Sequence, residues 1–171
     1  MSIAWTLRTA RLTMTPVGGQ DLSDLQRLKA DPCVFASMLG GVRSPRQTAE
    51  ELAGDVMFWG EHGYGIWAVR ERGVFMGVTG LKTRPDGRGV ALRFALWPEA
   101  QGRGLAREAA SAALRYGHEQ AGLRRIIAVA RESNFPSRTV LGSIGMRAGD
   151  RFTQAGFAML EYESVLASRS G

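Results

Sequence analysis

The chain has 171 residues, 44% of them hydrophobic, which predicts a single domain with a buried core over residues 1–171. Cys33 is the only cysteine, and His62 and His118 are the only histidines, so an internal disulfide is excluded and we expect no metal site. No apolar run is long enough to cross a membrane, and the first residues lack the apolar core of a signal peptide. We therefore expect a cytoplasmic protein without a membrane partner.

The net charge is +6 at pH 7, which raises the question of a nucleic-acid partner. Only Lys29 and Lys82 are lysines, and arginine supplies the other twenty basic residues. These arginines are scattered, without a basic run or interleaved aromatic residues. Such a pattern is typical of a GC-rich genome and argues against nucleic-acid binding. The excess positive charge also suits a strongly anionic small ligand.

The first part of the chain is predicted to contain one strand and two helices. Alternating β-favouring residues indicate the strand. Asp21 is a suitable N-cap for a helix that stops at Asp31-Pro32, and Ser44-Pro45 begins a second helix. The predicted bounds are a strand over 11–15, helices over 21–30 and 44–59, an irregular segment over 34–42 and a closing turn over 60–63.

Three strands separated by short turns follow, a spacing that favours antiparallel hairpins. A long amphipathic helix then precedes a short apolar strand, and because a full helix separates this strand from the previous one, the two should be parallel neighbours. A fourth helix and a closing hairpin give an α/β (α+β) order of β-α-α-β-β-β-α-β-α-β-β, with a mixed central sheet of about six to seven strands and four helices. The predicted bounds are strands over 65–69, 74–81, 90–97, 124–129, 146–152 and 156–165, and helices over 104–120 and 134–145.

The junction between the strand over 90–97 and the long helix reads Gln101-Gly102-Arg103-Gly104-Leu105-Ala106. Two glycines allow a tight turn, and the helix N-terminus offers unpaired N–H groups, an anion site to which Arg103 adds a full charge. A nucleotide-binding P-loop is excluded because Leu105 and Ala106 follow Gly104 in place of Lys and Ser or Thr. A dinucleotide fingerprint fails because Arg107 occupies its last small position. The plain alternative is a glycine-rich turn with a helix cap.

Gln101, Gly104 and Ala106 fit the pattern Q/R-x-x-G-x-G/A, and the run over 98–109 fits PExxGxGxAxEA. The segments outside the junction are Thr9-Ala-Arg-Leu12, which fits T-x-R-L, and Asn134-Phe-Pro-Ser137 with Gly145-Met146, which is similar to N-x-x-S … GF. In these motifs and in element order, the chain resembles the GNAT superfamily of N-acetyltransferases, in its RimJ/RimL-like ribosomal-protein branch. The resemblance covers about residues 7–166.

This resemblance implies a GNAT fold and the transfer of an acyl group, usually acetyl, from CoA to an amine. The parallel strands are expected to splay at their C-terminal ends, with pantetheine in the gap and pyrophosphate on the N–H groups of the glycine-rich loop. Asn134 should contact CoA, although it also suits the N-cap of the fourth helix. The implied CoA contacts are Phe94, Ala95, Leu96, Trp97, Gln101, Gly102, Arg103, Gly104, Leu105, Ala106, Asn134 and Ser137.

The chemistry requires a neutral amine, hence a base or a water chain, and the departing thiolate benefits from an acid. A backbone N–H of the strand over 90–97 can polarise the thioester carbonyl. Many members of the superfamily carry a Tyr acid in the fourth helix where this chain has Leu141 and Gly142. Members of the RimL-like branch can instead use the Ser of N-x-x-S, so the resemblance implies Ser137 as the candidate general acid, with a helix-start hydroxyl as its alternative role. The branch often has a Glu on the central strand that residues 90–94 lack, so the base is unassigned. The candidates are Glu132, Glu61, His62 and Asp55.

The resemblance implies an acceptor pocket built from the first two helices and the closing hairpin. These elements contribute Phe35, Met38, Met57, Phe58, Trp59 and Phe157, most of which helical spacing assigns to the core. A strongly acidic cleft, as expected for a polycationic aminoglycoside, is not apparent, so a protein N-terminus and a small amine both remain open as acceptors.

We therefore predict an N-acetyltransferase, monomeric or homodimeric, in which a primary amine attacks acetyl-CoA directly in a ternary complex. The main alternative is a CoA-binding sensor or interaction protein with weak catalysis. A basic nucleic-acid-binding domain is the alternative from another class, and it would bind DNA or RNA with a steep salt dependence.

Overall fold

The structure, a computed structural model, describes residues 3–167 as one sheet with helices on both faces. The strands are Leu7–Arg8 (β1), Thr13–Pro16 (β2), Ile66–Glu71 (β3), Val74–Thr83 (β4), Val90–Leu96 (β5), Arg125–Arg131 (β6), Arg147–Gln154 (β7) and Phe157–Val165 (β8). The α-helices are Leu22–Ala30 (α1), Pro32–Phe35 (α2), Pro45–His62 (α3), Leu105–Glu119 (α4) and Phe135–Ser143 (α5). Three short 3-10 turns cover Ile3–Trp5, Gly19–Asp21 and Pro98–Ala100.

The eight strands lie in the order β1-β2-β3-β4-β5-β6-β8-β7. All neighbours are antiparallel except β5 and β6, which are parallel and are joined by α4. The prediction of a parallel pair across the long helix is therefore confirmed, as are the mixed sheet and the closing hairpin. The sheet has one strand more than the upper estimate, because Leu7–Arg8 pairs with Thr13–Met14 as a short edge strand.

The prediction of an irregular segment directly after the first helix was wrong at its start, where α2 forms. The side chain of Asp31 accepts a hydrogen bond from the backbone N–H of Cys33 at 2.9 Å, and Pro32 occupies the first helical turn. An Asp N-cap followed by Pro is a helix start signal. The same two residues therefore end α1 and begin α2.

The second predicted helix ends three residues later than expected. Gly63, with φ of 72°, ends α3 in the left-handed conformation, and its N–H donates to the carbonyl of Trp59 at 2.9 Å. This is the usual glycine C-cap of a helix. Gly60 remains helical, and only Gly63 of the predicted closing turn over 60–63 lies outside the helix.

Two apolar clusters hold the layers together. On one face of the sheet, Leu105 and Ala109 of α4 pack with Trp67 and Ile126. On the other face, α1 and α3 pack on the sheet through the cluster that contains Leu28. Burying one such large apolar side chain stabilises the fold by about 1.5–3 kcal/mol. Within residues 3–167, none of the helices combines the length and apolarity that a membrane crossing needs.

Candidate active site

The parallel strands β5 and β6 pair through a single register position, Ala91 opposite Ile127. Beyond that position the two strands separate toward their C-terminal ends. The N–H of Trp97, just after β5, donates to the carbonyl of Met76 on the β4 side at 2.9 Å. Because backbone groups alternate direction along a strand, the N–H groups of Phe94 and Leu96 point toward β6, into the gap. Two backbone donors at the centre of the sheet are thus left to bind a ligand.

A cavity of about 220 Å³ lies where β5 and β6 diverge. Four of the predicted CoA-contacting residues line it, namely Phe94, Ala95, Asn134 and Ser137. Leu96 does not, because its side chain is buried in the cluster under α4. Trp97 packs against the opposite cluster. These two residues can therefore meet a ligand in the gap only through backbone atoms.

The glycine-rich junction forms a tight turn directly before α4. Gly102 and Gly104 have φ of 77° and 76°, a left-handed conformation that glycine adopts without strain. Gly104 is the N-cap of α4, and no side chain caps the helix start. The N–H of Glu108 donates to the Gly104 carbonyl at 3.0 Å, so the N–H groups of Leu105 and Ala106 precede the first intrahelical bond. Such unpaired N–H groups at a helix start are suited to bind an anion.

The Arg103 side chain does not supply the free charge that we expected. Its two terminal nitrogens donate to the carboxylate of Glu71, at the end of β3, over 2.9 and 2.7 Å. The hydrogen bond from Arg103 lowers the pKa of Glu71. Sequence alone could not find this pair, because Glu71 belongs to no motif.

A second pair positions the same junction from behind. The carboxylate of Glu108 accepts the Thr9 hydroxyl, the Arg11 backbone N–H at 2.9 Å and the Arg11 Nε at 2.8 Å. Burial raises the pKa of Glu108, but the hydrogen bonds from Thr9 and Arg11 outweigh it, so the net pKa is lowered. Arg11 also donates from Nη1 to the carbonyl of Arg103 at 2.7 Å. The T-x-R-L segment therefore braces the glycine-rich turn, a role that sequence analysis missed although it noted both motifs.

Asn134 and Ser137 occupy the start of α5 at the cavity wall. The Asn134 Oδ1 accepts the backbone N–H of Ser137 at 3.3 Å, which confirms the N-cap role. The cap uses only the oxygen of the side chain, so the amide nitrogen remains available to a ligand. Ser137 lines the cavity, and its hydroxyl makes no hydrogen bond within residues 3–167.

Of the four candidate bases, only Asp55 lines the cavity. It is buried and accepts a hydrogen bond from Lys82. Glu61 and His62 are exposed at the C-terminal end of α3, away from the cavity lining. Glu132 pairs with Arg151 at 3.1 Å outside the lining.

Glu51 is a second acid in the cavity lining, which sequence analysis did not find. Burial raises its pKa, but hydrogen bonds from Arg43 and the charge of Lys29 outweigh burial, so the net pKa is lowered. Because this carboxylate and that of Asp55 are both bound to cations, the described cavity lining contains no unpaired carboxylate base.

The predicted acceptor residues divide into two groups. Phe35, Met38 and Phe157 line the cavity. Met57 is 64% exposed on the outer face of α3, and Trp59 is buried in the core. Phe58 packs beside that core and stacks on His62. The cavity wall around these three residues is thus formed by α2, the segment after it and the β7–β8 turn.

Comparison with known proteins agrees with this geometry. Residues 11–147 match the family model of the acetyltransferase (GNAT) domain. The chain therefore belongs to the GNAT acetyltransferases and is an acyltransferase enzyme.

Among curated proteins, it is 28% identical to FsC-acetyl coenzyme A-N(2)-transacetylase of Aspergillus fumigatus over an alignment of 161 positions that covers 86% of this chain and 67% of the fungal one. Among solved structures, an acetyltransferase from Agrobacterium tumefaciens is 25% identical, with a TM-score of 0.82 and 94% of each chain covered. The fold is also shared with RimL, a ribosomal L7/L12 alpha-N-protein acetyltransferase in complex with coenzyme A, at 17% identity and a TM-score of 0.80, covering 94% of this chain and 98% of that one.

Proposed function

We propose that this protein transfers an acetyl group from acetyl-CoA to a primary amine by direct attack in a ternary complex. The observation that carries the proposal is the gap between β5 and β6, which are paired only at Ala91 and Ile127. The gap leaves the backbone N–H donors of Phe94 and Leu96 free at the edge of a cavity. The short segment that follows them contains the 3-10 turn Pro98–Ala100 and leads to Gly104, where α4 starts with unpaired backbone N–H groups. Acetyl-CoA matches this order. Its uncharged thioester and pantetheine arm suit the backbone donors of β5, and its pyrophosphate suits the anion-binding start of α4.

The residues present fit acetyl-CoA, which supplies an activated acyl thioester when bound. The N–H groups of Leu105 and Ala106 hold the pyrophosphate, and the Asn134 side-chain amide contacts the CoA from α5. Phe94 donates its N–H to the thioester carbonyl, where negative charge develops during attack. The amine nitrogen bonds to the acyl carbon as the carbon–sulfur bond breaks. The amine releases its proton to water, and the sulfur takes one from water or from Ser137, whose hydroxyl then regains a proton from water.

Calorimetric titration with acetyl-CoA tests the binding half of this proposal. Gly104→Glu places a carboxylate at the pyrophosphate site and should weaken binding by at least about tenfold, or about 1.4 kcal/mol. Gly122→Glu is the matched control, because Gly122 has φ of 71° just after the other end of α4 and a Cβ there meets nothing within 4 Å. Equal binding by both variants would place the pyrophosphate elsewhere.

Thiol release from acetyl-CoA in the presence of an amine panel tests the transfer half. A second candidate function, a CoA-binding sensor with weak catalysis, is favoured by the absence of an unpaired carboxylate in the described cavity lining. The two differ in turnover. The sensor binds acetyl-CoA but releases no thiol above the solvent rate with any amine, whereas the enzyme does so with its acceptor.

A further inference from the structure

The cavity where β5 and β6 diverge is lined by more cationic than anionic side chains. Six basic residues and two acidic residues line it, although the pantetheine arm and thioester expected there carry no charge. The basic residues are Lys29, Arg43, Lys82, Arg84, Arg93 and Arg131, and the acidic residues are Glu51 and Asp55.

Most of these cations already have a partner. Lys29 and Arg43 share Glu51 at 3.1 and 2.8 Å, Lys82 binds Asp55, and Arg84 binds Asp86 at 2.8 Å. The Arg131 guanidinium lies 3.6 Å from the centroid of the Phe157 ring, a stacked cation–π contact.

Arg93 is the exception among the six. It projects from the middle of β5 on the same face as Ala95, toward α1–α3. The residue opposite Arg93 on β4 is Gly80, which has no side chain to cover the guanidinium. Within the described chain its half-buried guanidinium makes no hydrogen bond, ion pair or aromatic stack. Burial lowers the pKa of Arg93, and the nearby charge of Arg84 adds to this while that of Asp55 opposes it.

A half-buried charge that no carboxylate contacts directly costs free energy, which an incoming anion offsets. The guanidinium also presents a planar fork of donors that matches a carboxylate in a bidentate arrangement. Arg93 immediately precedes Phe94, whose N–H points into the gap, and consecutive Cα atoms are about 3.8 Å apart. An anion on Arg93 would therefore lie beside the reacting centre, inside the same cavity.

We propose that Arg93 binds a carboxylate of the acceptor, so that the acceptor is a primary amine carrying an anionic group. This inference rests on the proposed function, because it names the acceptor class of that site. Because the cavity lining has more basic than acidic side chains, like-charge repulsion excludes polycationic amines from it. The cavity of about 220 Å³ has room for one amino-acid-sized group. The carboxylate is that of an acidic side chain, on a free amino acid or on the first residue of a peptide.

Matched acceptor pairs test the inference and separate these two sources. Free glutamate and glutamine form one pair, and aspartate and asparagine the other. Each of these four amino acids is also tested as an acceptor when it is the first residue of a tripeptide amide. The members of a pair differ only by a carboxylate or its amide, so size and amine position are held constant. In at least one pair, the acidic member should have a kcat/KM at least about tenfold higher, as expected for a charge-assisted hydrogen bond.

Variants at Arg93 then assign the preference to this side chain. Arg93→Leu should reduce the preference to below about threefold while leaving the acetyl-CoA affinity within about twofold. Arg93→Lys keeps the charge without the fork and should retain part of the preference. Melting temperatures establish that the variants fold, and that of Arg93→Leu should be unchanged or raised, because an unpaired charge is removed.

A binding readout independent of turnover uses CoA in place of acetyl-CoA. In this unreactive ternary complex, calorimetry should detect tighter binding of the preferred acidic member than of its amide, and Arg93→Leu should abolish the difference. Equal use of both members of every pair, or an unchanged preference in Arg93→Leu, would overturn the inference and leave the proposed function standing. Failure of the parent protein to bind acetyl-CoA would overturn the proposed function and the acceptor assignment with it.

Discussion

Arg11, on the segment between β1 and β2, donates from Nε to Glu108 Oε1 over 2.8 Å, a contact between residues 97 positions apart. The same guanidinium donates to the carbonyl of Arg103 at 2.7 Å. The edge of the sheet is thereby fixed to the first turn of α4 and to the glycine-rich turn before it. This contact positions the backbone donors that we assign to pyrophosphate.

Arg11→Met should weaken acetyl-CoA binding by about three- to tenfold, because the turn loses its bond to the Arg103 carbonyl and becomes more mobile. Calorimetric titration measures the change. Arg46→Met is the control, since Arg46 has a 90% exposed side chain whose one ion pair within residues 3–167 is with Glu50. If Arg11→Met binds acetyl-CoA as tightly as the control does, the brace has no part in binding.

Glu71→Gln should have the opposite effect and tighten acetyl-CoA binding by about two- to fivefold. The substitution removes a carboxylate near the pyrophosphate site and frees Arg103, which is bound to Glu71 at 2.7 Å. Because the gain is electrostatic, it should shrink as salt is raised from 50 to about 500 mM. Titrations at several salt concentrations check this, and a gain independent of salt would contradict the explanation.

The pH dependence of kcat/KM should follow the acceptor amine instead of a protein group. Both carboxylates in the described cavity lining are bound to cations, so the neutral amine has to come from its own ionisation. For a peptide N-terminus the rate should rise to a plateau above about pH 8, and the midpoint should move with amine pKa across acceptors. A fixed midpoint that disappears in Asp55→Asn would instead identify Asp55 as the base.

Glu51 should stabilise the fold in a pH-dependent manner. Its pKa is lowered in the folded state, so its contribution is present above the ordinary glutamate value and is lost as the pH falls through the folded value. At pH 7, Glu51→Gln leaves the buried Lys29 without its carboxylate and should lower the free energy of unfolding by about 1–3 kcal/mol. That corresponds to a fall in melting temperature of roughly 3–10 °C.

Thermal unfolding from pH 7 down to about pH 3.5 measures this difference, which should narrow at the acid end. Glu50→Gln is the matched control one residue away, because Glu50 has a 68% exposed side chain in a surface pair with Arg46. Its effect should stay within about 0.5 kcal/mol. A constant difference between Glu51→Gln and the parent at all pH values would contradict the electrostatic explanation.

Local signals were sufficient to predict most of the fold. Hydrophobic periodicity and the caps at Ser44 and Gly104 locate the long helices, and the helix between β5 and β6 predicts their parallel pairing. The start of α2 was missed because Asp31-Pro32 carries the signals that end one helix and begin the next.

Within the site, the sequence predicts where a motif lies but not which side chains meet there. Arg103 binds Glu71 and Arg11 binds Glu108, over separations of 32 and 97 residues. These contacts follow from strand order and side-chain direction, which composition and spacing do not determine. Likewise, Arg93 is one of twenty arginines in the sequence. Its lack of a partner becomes evident only once the pairs of the other cations are known.

The single register position between β5 and β6 has a consequence for the mechanics of the sheet. Strands β1 to β5 form one continuous antiparallel ladder and β6, β8 and β7 another, joined at Ala91 and Ile127. The boundary between β5 and β6, here called the central seam, therefore has fewer inter-strand backbone hydrogen bonds than any other strand pair of the sheet. It can act as a hinge between two stiffer halves. In the free protein the amides of Phe94 and Leu96 should exchange hydrogen with solvent faster than their central position suggests. A ligand seated in the seam completes the sheet and couples the two halves.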